Sequence, residues 1–211
     1  MFFYAIEQWE AKINFLKRRI LLSQCFIAGL CIVILFSTSN WENVSFVSDI
    51  LFFLGVILAS IATVGRLWCS VYISGYKNNT LVTSGPYSMC RNPLYFFSLI
   101  GSVGVGMTTE TLVVPAIIFI VFILYYPYVI EKEEKRLFTV HQDNFKTYRD
   151  QTPKFIPSFS SLEEPEEYII KPKILRKRLF DSLWLVWMIG VVELIESLHE
   201  HGIIPTFFNL Y

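Results

Sequence analysis

The chain has 211 residues, enough for one domain of ordinary size. It is 54% hydrophobic and 17% aromatic with a mean hydropathy of +0.48, above the roughly 45–50% apolar content of a soluble domain. The apolar residues fall in blocks, which excludes an ordinary soluble fold, and the formal net charge of +0 gives no basic excess to carry a nucleic-acid partner.

In chain order, Met1–Arg19 reads as an amphipathic segment on the membrane surface, with Trp9 and Phe15 as interface anchors. Five apolar blocks follow: Ile20–Ser37, Val47–Val64, Leu94–Met107, Leu112–Ile130 and Leu179–Leu198. A span needs about 20 residues, so the third block is short. The fifth is weakened by Asp181, Glu193 and Glu196. Residues 20–157 form the expected core. Residues 158–178 form a polar linker, and residues 179–211 an additional span with a tail. The fold expected is all-α, a polytopic integral membrane protein of about five transmembrane helices.

The basic residues lie in alternate connections. The loops at Thr38–Phe46 and Thr108–Thr111 contain none, so all 18 Lys and Arg can lie on one side. The positive-inside rule makes that side cytoplasmic, with the N-terminus inside. The four cysteines have no metal-ligand spacing and read as free thiols. Glu193, Glu196, His199 and His201 close the last block. Because H-x-H on a helix turns its rings apart, this reads as a helix end stopped by Gly202 rather than a metal site. "GSVGVG" at Gly101–Gly106 has no strand before it, so it reads as a close helix-packing surface rather than a dinucleotide loop.

Two polar stretches interrupt this pattern. In "LVTSGPYSMCRNPLY", residues 81–95, Gly85-Pro86 marks a turn, and Asn92-Pro93 reads as the N-cap and first residue of a helix. That helix start, with Arg91 beside it, suits a carboxylate or phosphate. A bland alternative is a proline turn with a snorkelling arginine and interface tyrosines. In "VIEKEEKRL", Glu131, Glu133 and Glu134 emerge at a helix C-terminus, where the dipole disfavours acids. A cation is expected against them, either Arg91 or a bound ligand.

Together with the later "FKTYRDQTPKFIP", these stretches resemble the isoprenylcysteine carboxyl methyltransferase family and, more distantly, the phospholipid methyltransferases. Leu81, Val82, Gly85, Pro86, Tyr87, Arg91, Pro93 and Tyr95 match the first motif of that pattern. Glu133, Glu134 and Leu137 match the second, and Tyr148 and Pro157 the tail. Asn92 stands where histidine is usual, and His141-Gln142 where Phe-Gly is usual. The resemblance implies S-adenosylmethionine bound from the cytosol and a lipid or lipid-anchored acceptor. The methyl would go to a carboxylate, a phosphate or an amine headgroup. It implies Arg91 and Glu134 as the catalytic pair, and Leu81, Gly85, Tyr87, Asn92, Pro93, Tyr95 and Glu133 as cofactor-binding positions. The site is then expected where the loop and helix start of Leu81–Tyr95 meet the cytosolic extension of the fourth span. The alternatives are a nicotinamide-dependent membrane enzyme like the sterol reductases, and a non-catalytic membrane scaffold.

Overall fold

The computed structural model describes residues 21, 24–41, 45–75 and 80–211. The expected surface segment Met1–Arg19 lies outside them. The described elements are α1 (Gln24–Phe36), β1 (Ser37–Ser39), α2 (Ser45–Gly75), α3 (Pro86–Met89), α4 (Pro93–Met107), α5 (Val113–Gln151), α6 (Pro172–Glu200) and β2 (Phe208–Leu210). A single 3-10 turn at Phe159–Ser161 lies between α5 and α6. Each expected apolar block therefore contains a helix. Among the described residues, two helices are long and apolar enough to cross a membrane: Phe46–Ser74 within α2, and α5. α1 and α4 are shorter apolar helices.

The chain divides into two compact units. The smaller takes residues up to Thr38 together with Ile195–Asn209. Within it the His199 ring contacts the Leu35 carbonyl at 2.9 Å, and the Phe207 amide donates to the Phe36 carbonyl at 2.9 Å. The Phe36 and Phe207 rings lie 5.6 Å apart. His199 thus contacts backbone, and no group of three or more His, Cys, Asp or Glu among the described residues could hold a metal ion. α6 ends as expected near Gly202, which takes a φ of +66° and donates to the His199 carbonyl at 2.8 Å. β1 and β2, not expected from the sequence, pair in a two-stranded sheet.

The larger unit holds Ser39–Leu194 with Leu210–Tyr211. Its core is the pairing of α2 with α4. Small residues face one another there, so the two backbones approach closely. A Cβ placed on Gly104 would lie 2.7 Å from the Ala59 amide and 2.8 Å from the Gly55 carbonyl. One on Gly101 would meet Ala62 and the Leu185 side chain of α6. Ala59, Ala62 and Leu185 are fully buried. The "GSVGVG" run is therefore the packing face of α4.

α5 leaves the apolar region at Ile130 and continues as a helix to Gln151, with one non-helical residue, Gln142, at φ 44°. At about 1.5 Å per residue, its polar half is about 30 Å long. α4, at 15 residues, is shorter than the about 20 residues that a hydrocarbon layer of about 30 Å requires. The packing of α4 on α5 brings the start of α4 beside the acidic segment of α5.

Candidate functional site: the junction of α4 and α5

Ser84–Tyr87 forms a tight turn. Gly85 sits at φ 61°, ψ −133°, and the Tyr87 amide donates to the Ser84 carbonyl at 3.3 Å. Only glycine takes this backbone position without strain. Pro86 then opens the four-residue helix α3, an element not expected from the sequence. Cys90 breaks it with an extended backbone, and α4 starts with Pro93 in its first turn.

Asn92 occupies the N-cap position, but its side chain makes no capping bond. Its backbone carbonyl instead accepts from the amides of Tyr95 and Phe96, each at 3.2 Å. The freed Nδ2 donates to Glu134 Oε1 at 3.2 Å and to the Lys154 carbonyl at 2.9 Å. Asn92 therefore ties three segments together through its side chain, which donates hydrogen bonds without capping α4.

Arg91 does the same with more bonds. Its Nε donates to Glu134 Oε1 at 2.9 Å, and its Nη1 to the carbonyls of Arg149 at 2.7 Å and Thr152 at 2.6 Å. The pair is well covered, with side chains 10% and 15% exposed. The three acids thus divide. Glu134 takes Arg91 and Asn92. Glu133 accepts from the Tyr95 hydroxyl at 2.8 Å. Glu131 points outward to Lys135 at 2.7 Å. That exposed Lys135 ammonium holds the Glu131 carboxyl below its usual range.

The segment after α5 closes over this junction. The Arg91 amide donates to the Pro153 carbonyl at 2.8 Å, the Ser158 amide to Met89 at 3.0 Å, and the Gly85 amide to Glu163 at 2.7 Å. The Tyr148 hydroxyl donates to the Tyr87 carbonyl at 2.7 Å. Residues 152–168 are irregular, as their composition implied, yet fixed by these bonds. Beneath them lies an aromatic wall. Tyr126 stacks on Phe122 at 3.6 Å and meets Tyr95 edge-on at 5.3 Å, while Phe155 contacts Phe96 at 5.8 Å.

Of the sequence-derived site residues, Gly85, Tyr87, Arg91, Asn92, Pro93, Tyr95, Glu133 and Glu134 gather at this junction. Leu81 lies in the coil ahead of Gly85, half-buried and apolar. Sequence reasoning missed Tyr126 and Phe155, whose aromatic runs read as ordinary membrane-helix or loop residues. It also missed the backbone carbonyls of Thr152 and Lys154, which no side-chain motif can announce.

Two buried groups bear on the chemistry. The Cys90 thiol is pushed up to about 11 by burial, offset in part by the Asn92 backbone amide and Arg91, so it is protonated at neutral pH and is no nucleophile there. The buried Tyr148 phenol is also raised above its usual value by burial. A raised phenol pKa favours the folded state fully below about pH 10. That contribution is lost as pH climbs through the folded value. Tyr148→Phe should cost about 1–2 kcal/mol at pH 7, the amount for leaving the Tyr87 carbonyl unpaired. In thermal melts of both proteins, the gap should shrink above about pH 10. A gap that is constant with pH would contradict this placement.

Residues 26–144, more than half of the chain, match the sequence profile of the phospholipid methyltransferase family. The chain is 40% identical over 198 residues to the cobalt-zinc-cadmium resistance protein CzcN of Cupriavidus metallidurans, covering 93% of this chain and 91% of that one. It is 37% identical over 198 residues to the nickel-cobalt-cadmium resistance protein NccN of Alcaligenes xylosoxydans xylosoxydans, covering 93% and 92%. No solved structure matches it. The Gly-Pro-Tyr turn and the Arg91–Glu134 junction fall inside the matched residues, and the chain belongs to the phospholipid methyltransferase family.

Proposed function

We propose that the chain is an S-adenosylmethionine-dependent, multi-pass membrane methyltransferase. Its acceptor is a lipid or lipid-anchored molecule bearing a carboxylate, a phosphate or an amine. The observation that carries this reading is the junction itself: the exposed Glu133 carboxylate and an aromatic wall beside the Arg91–Glu134 pair.

The chemistry of these residues fits the donor. It presents an ammonium and a sulfonium, and Glu133 is exposed on the α5 surface with a carboxylate to offer. The faces of Tyr95 and Tyr126 suit a sulfonium through cation–π attraction of about 0.5–2 kcal/mol. When bound, the donor supplies an electrophilic methyl group. The residues' task is then alignment and exclusion of water. Arg91 and Asn92 hold the segment at Thr152–Lys154 against α4. In this reading Arg91 and Glu134 are positioning residues, since three of Arg91's bonds go to the protein. Tyr87 sits under the same cover and Leu81 at its entry. The positive-inside pattern supports a site on the cytoplasmic face. Both relatives are named as metal resistance proteins, so a role for the activity in resistance to cobalt, zinc, cadmium or nickel is part of this proposal.

The test uses the full chain in vesicles with S-adenosylmethionine tritiated on its methyl group. Label should appear in the lipid fraction or in a lipid-anchored protein fraction. Loss of the label in Glu133→Gln with a folded protein supports the junction as the site. No transfer by folded wild type to any membrane fraction would overturn the reading.

A further inference from the structure

α6 carries acids that the proposed site leaves unused. Over 29 residues it buries three side chains, Ser182, Leu185 and Val192. A second face stays open. Leu183, Val186, Gly190 and Glu193 follow one another on it at spacings of three, four and three, and all four are exposed. That spacing is the seam by which one helix lies along another. A Cβ on Gly190 would meet nothing within 4 Å, so a neighbouring backbone has room to approach closely. One turn further stands Glu193, which makes no hydrogen bond or ion pair among the described residues.

Glu193 lies well inside the apolar run. Arg178, the last basic residue, is about 22 Å of helix rise away. Between the two, Asp181 and Ser182 interrupt an otherwise apolar sequence. On the multi-pass reading, an acid then faces outward within a hydrocarbon layer of about 30 Å, where an ionisable side chain calls for a charged partner.

This chain does not supply that charge. Residues 20–65, 92–131 and 179–211 contain no Lys or Arg. Those stretches include α1, α4 and the apolar half of α5. The rings of His199 and His201 are engaged by the carbonyls of Leu35 and Ser197, and His141 lies in the polar half of α5. A second copy brings the same residues. In a two-fold pair along this seam, Glu193 would meet Glu193. The cation must come from a different membrane protein.

We infer that the Leu183–Glu193 face of α6 docks a transmembrane helix of a different protein, which pairs a Lys or Arg with Glu193 and packs closely against Gly190. This rests on α6 crossing the bilayer, part of the multi-pass reading, and not on methyl transfer.

The photo-crosslinking amino acid p-benzoylphenylalanine is placed in the full chain at Val186 or Leu194, with Leu124 on the exposed side of α5 as control. The protein is irradiated in its native cells, and adducts are identified by mass spectrometry. Val186 and Leu194 should link to the same membrane protein, at a helix carrying Lys or Arg within two turns of the link. Leu124 should not link to it. Glu193→Gln should lower the yield at least fivefold, and Glu193→Lys should abolish it. Changing the partner's base to Glu beside Glu193→Lys should restore it. Gly190→Leu keeps the charge and should also lower the yield at least fivefold. Thermal melts confirm that each variant is folded. Equal yield in wild type and Glu193→Gln, no rescue by the charge exchange, or adducts with lipid or a second copy alone would each overturn the docking face. The spanning premise has its own readout. In sealed vesicles, His201→Cys and Lys173→Cys should react with a membrane-impermeant maleimide from opposite sides. Reaction from one side rejects both the span and the inference. Reaction from opposite sides with an unchanged Glu193→Gln yield rejects the inference alone.

Discussion

Arg91→Ala should lower methyl transfer about 100-fold and loosen the segment after α5. The side chain makes one charge-assisted bond to Glu134 and two to carbonyls of Arg149 and Thr152. Breaking a buried ion pair costs about 3–5 kcal/mol, because the remaining charge is left uncompensated. The pair is slightly exposed, and Glu134 keeps its bond from Asn92 at 3.2 Å, so about 3 kcal/mol is the expectation. At about 1.4 kcal/mol per tenfold, that is roughly 100-fold in the population of the closed junction. Arg91→Lys should recover little, since one ammonium cannot span acceptors on three residues. Removing both partners should cost less than the sum of the single changes, because neither leaves a lone charge. Hydrogen exchange checks the structural half of this result. Amides near Ser158 should lose protection in Arg91→Ala. If they stay protected while transfer falls, Arg91 acts on the donor or acceptor directly and the positioning role is wrong.

Gly85→Ala should be the most destabilising single methyl group in the larger unit. Its φ of 61° is outside the range of ordinary residues, at a strain of about 1–3 kcal/mol. The new Cβ would also stand 2.2 Å from the Tyr72 ring. That ring cannot easily retreat. It is buried, its hydroxyl donates to Glu164 at 3.1 Å, and it stacks on Tyr168 at 4.6 Å. Overpacking of this kind adds about 1–3 kcal/mol. A total near 3–4 kcal/mol corresponds to a drop of about 10 °C in the melting temperature for a chain of this size. A Gly85→Ala protein that melts within about 2 °C of wild type would show that the turn has another, unstrained form.

Tyr72 also shows where sequence reading reaches its end. Gly85-Pro86 announced a turn because glycine and proline restrict the backbone locally. Nothing local announced that a tyrosine of α2 would lie beneath it. The helical blocks were legible for the same reason: an apolar run of about spanning length is a property of consecutive residues. The three acids after the apolar run suggested a cation on the premise that they stand at a helix C-terminus; α5 instead continues to Gln151, so they lie within the helix, and Arg91 meets Glu134 through packing. Which acid took it was not legible. Glu131, Glu133 and Glu134 differ only by helix phase, and phase was fixed by the packing of α4 on α5. β1 and β2 were hidden because three-residue strands have no period to detect. Asn92 stands at the N-cap as expected, but its side chain does not cap α4 and instead finds partners in Glu134 and Lys154, which come together only in the fold. In the sequence Arg66 is one more basic residue after an apolar run. Only the fold shows its bonds to Ser98 and the Asp181 carbonyl.

The most direct test of the central claim is calorimetric titration of S-adenosylmethionine into the full chain in detergent, beside Glu133→Gln and Arg91→Ala. Wild type should bind the donor at micromolar concentration, with at least tenfold weaker binding in both variants. A folded wild type that binds no S-adenosylmethionine, or that binds a nicotinamide dinucleotide in its place, would contradict a methyl-donor site at the α4–α5 junction.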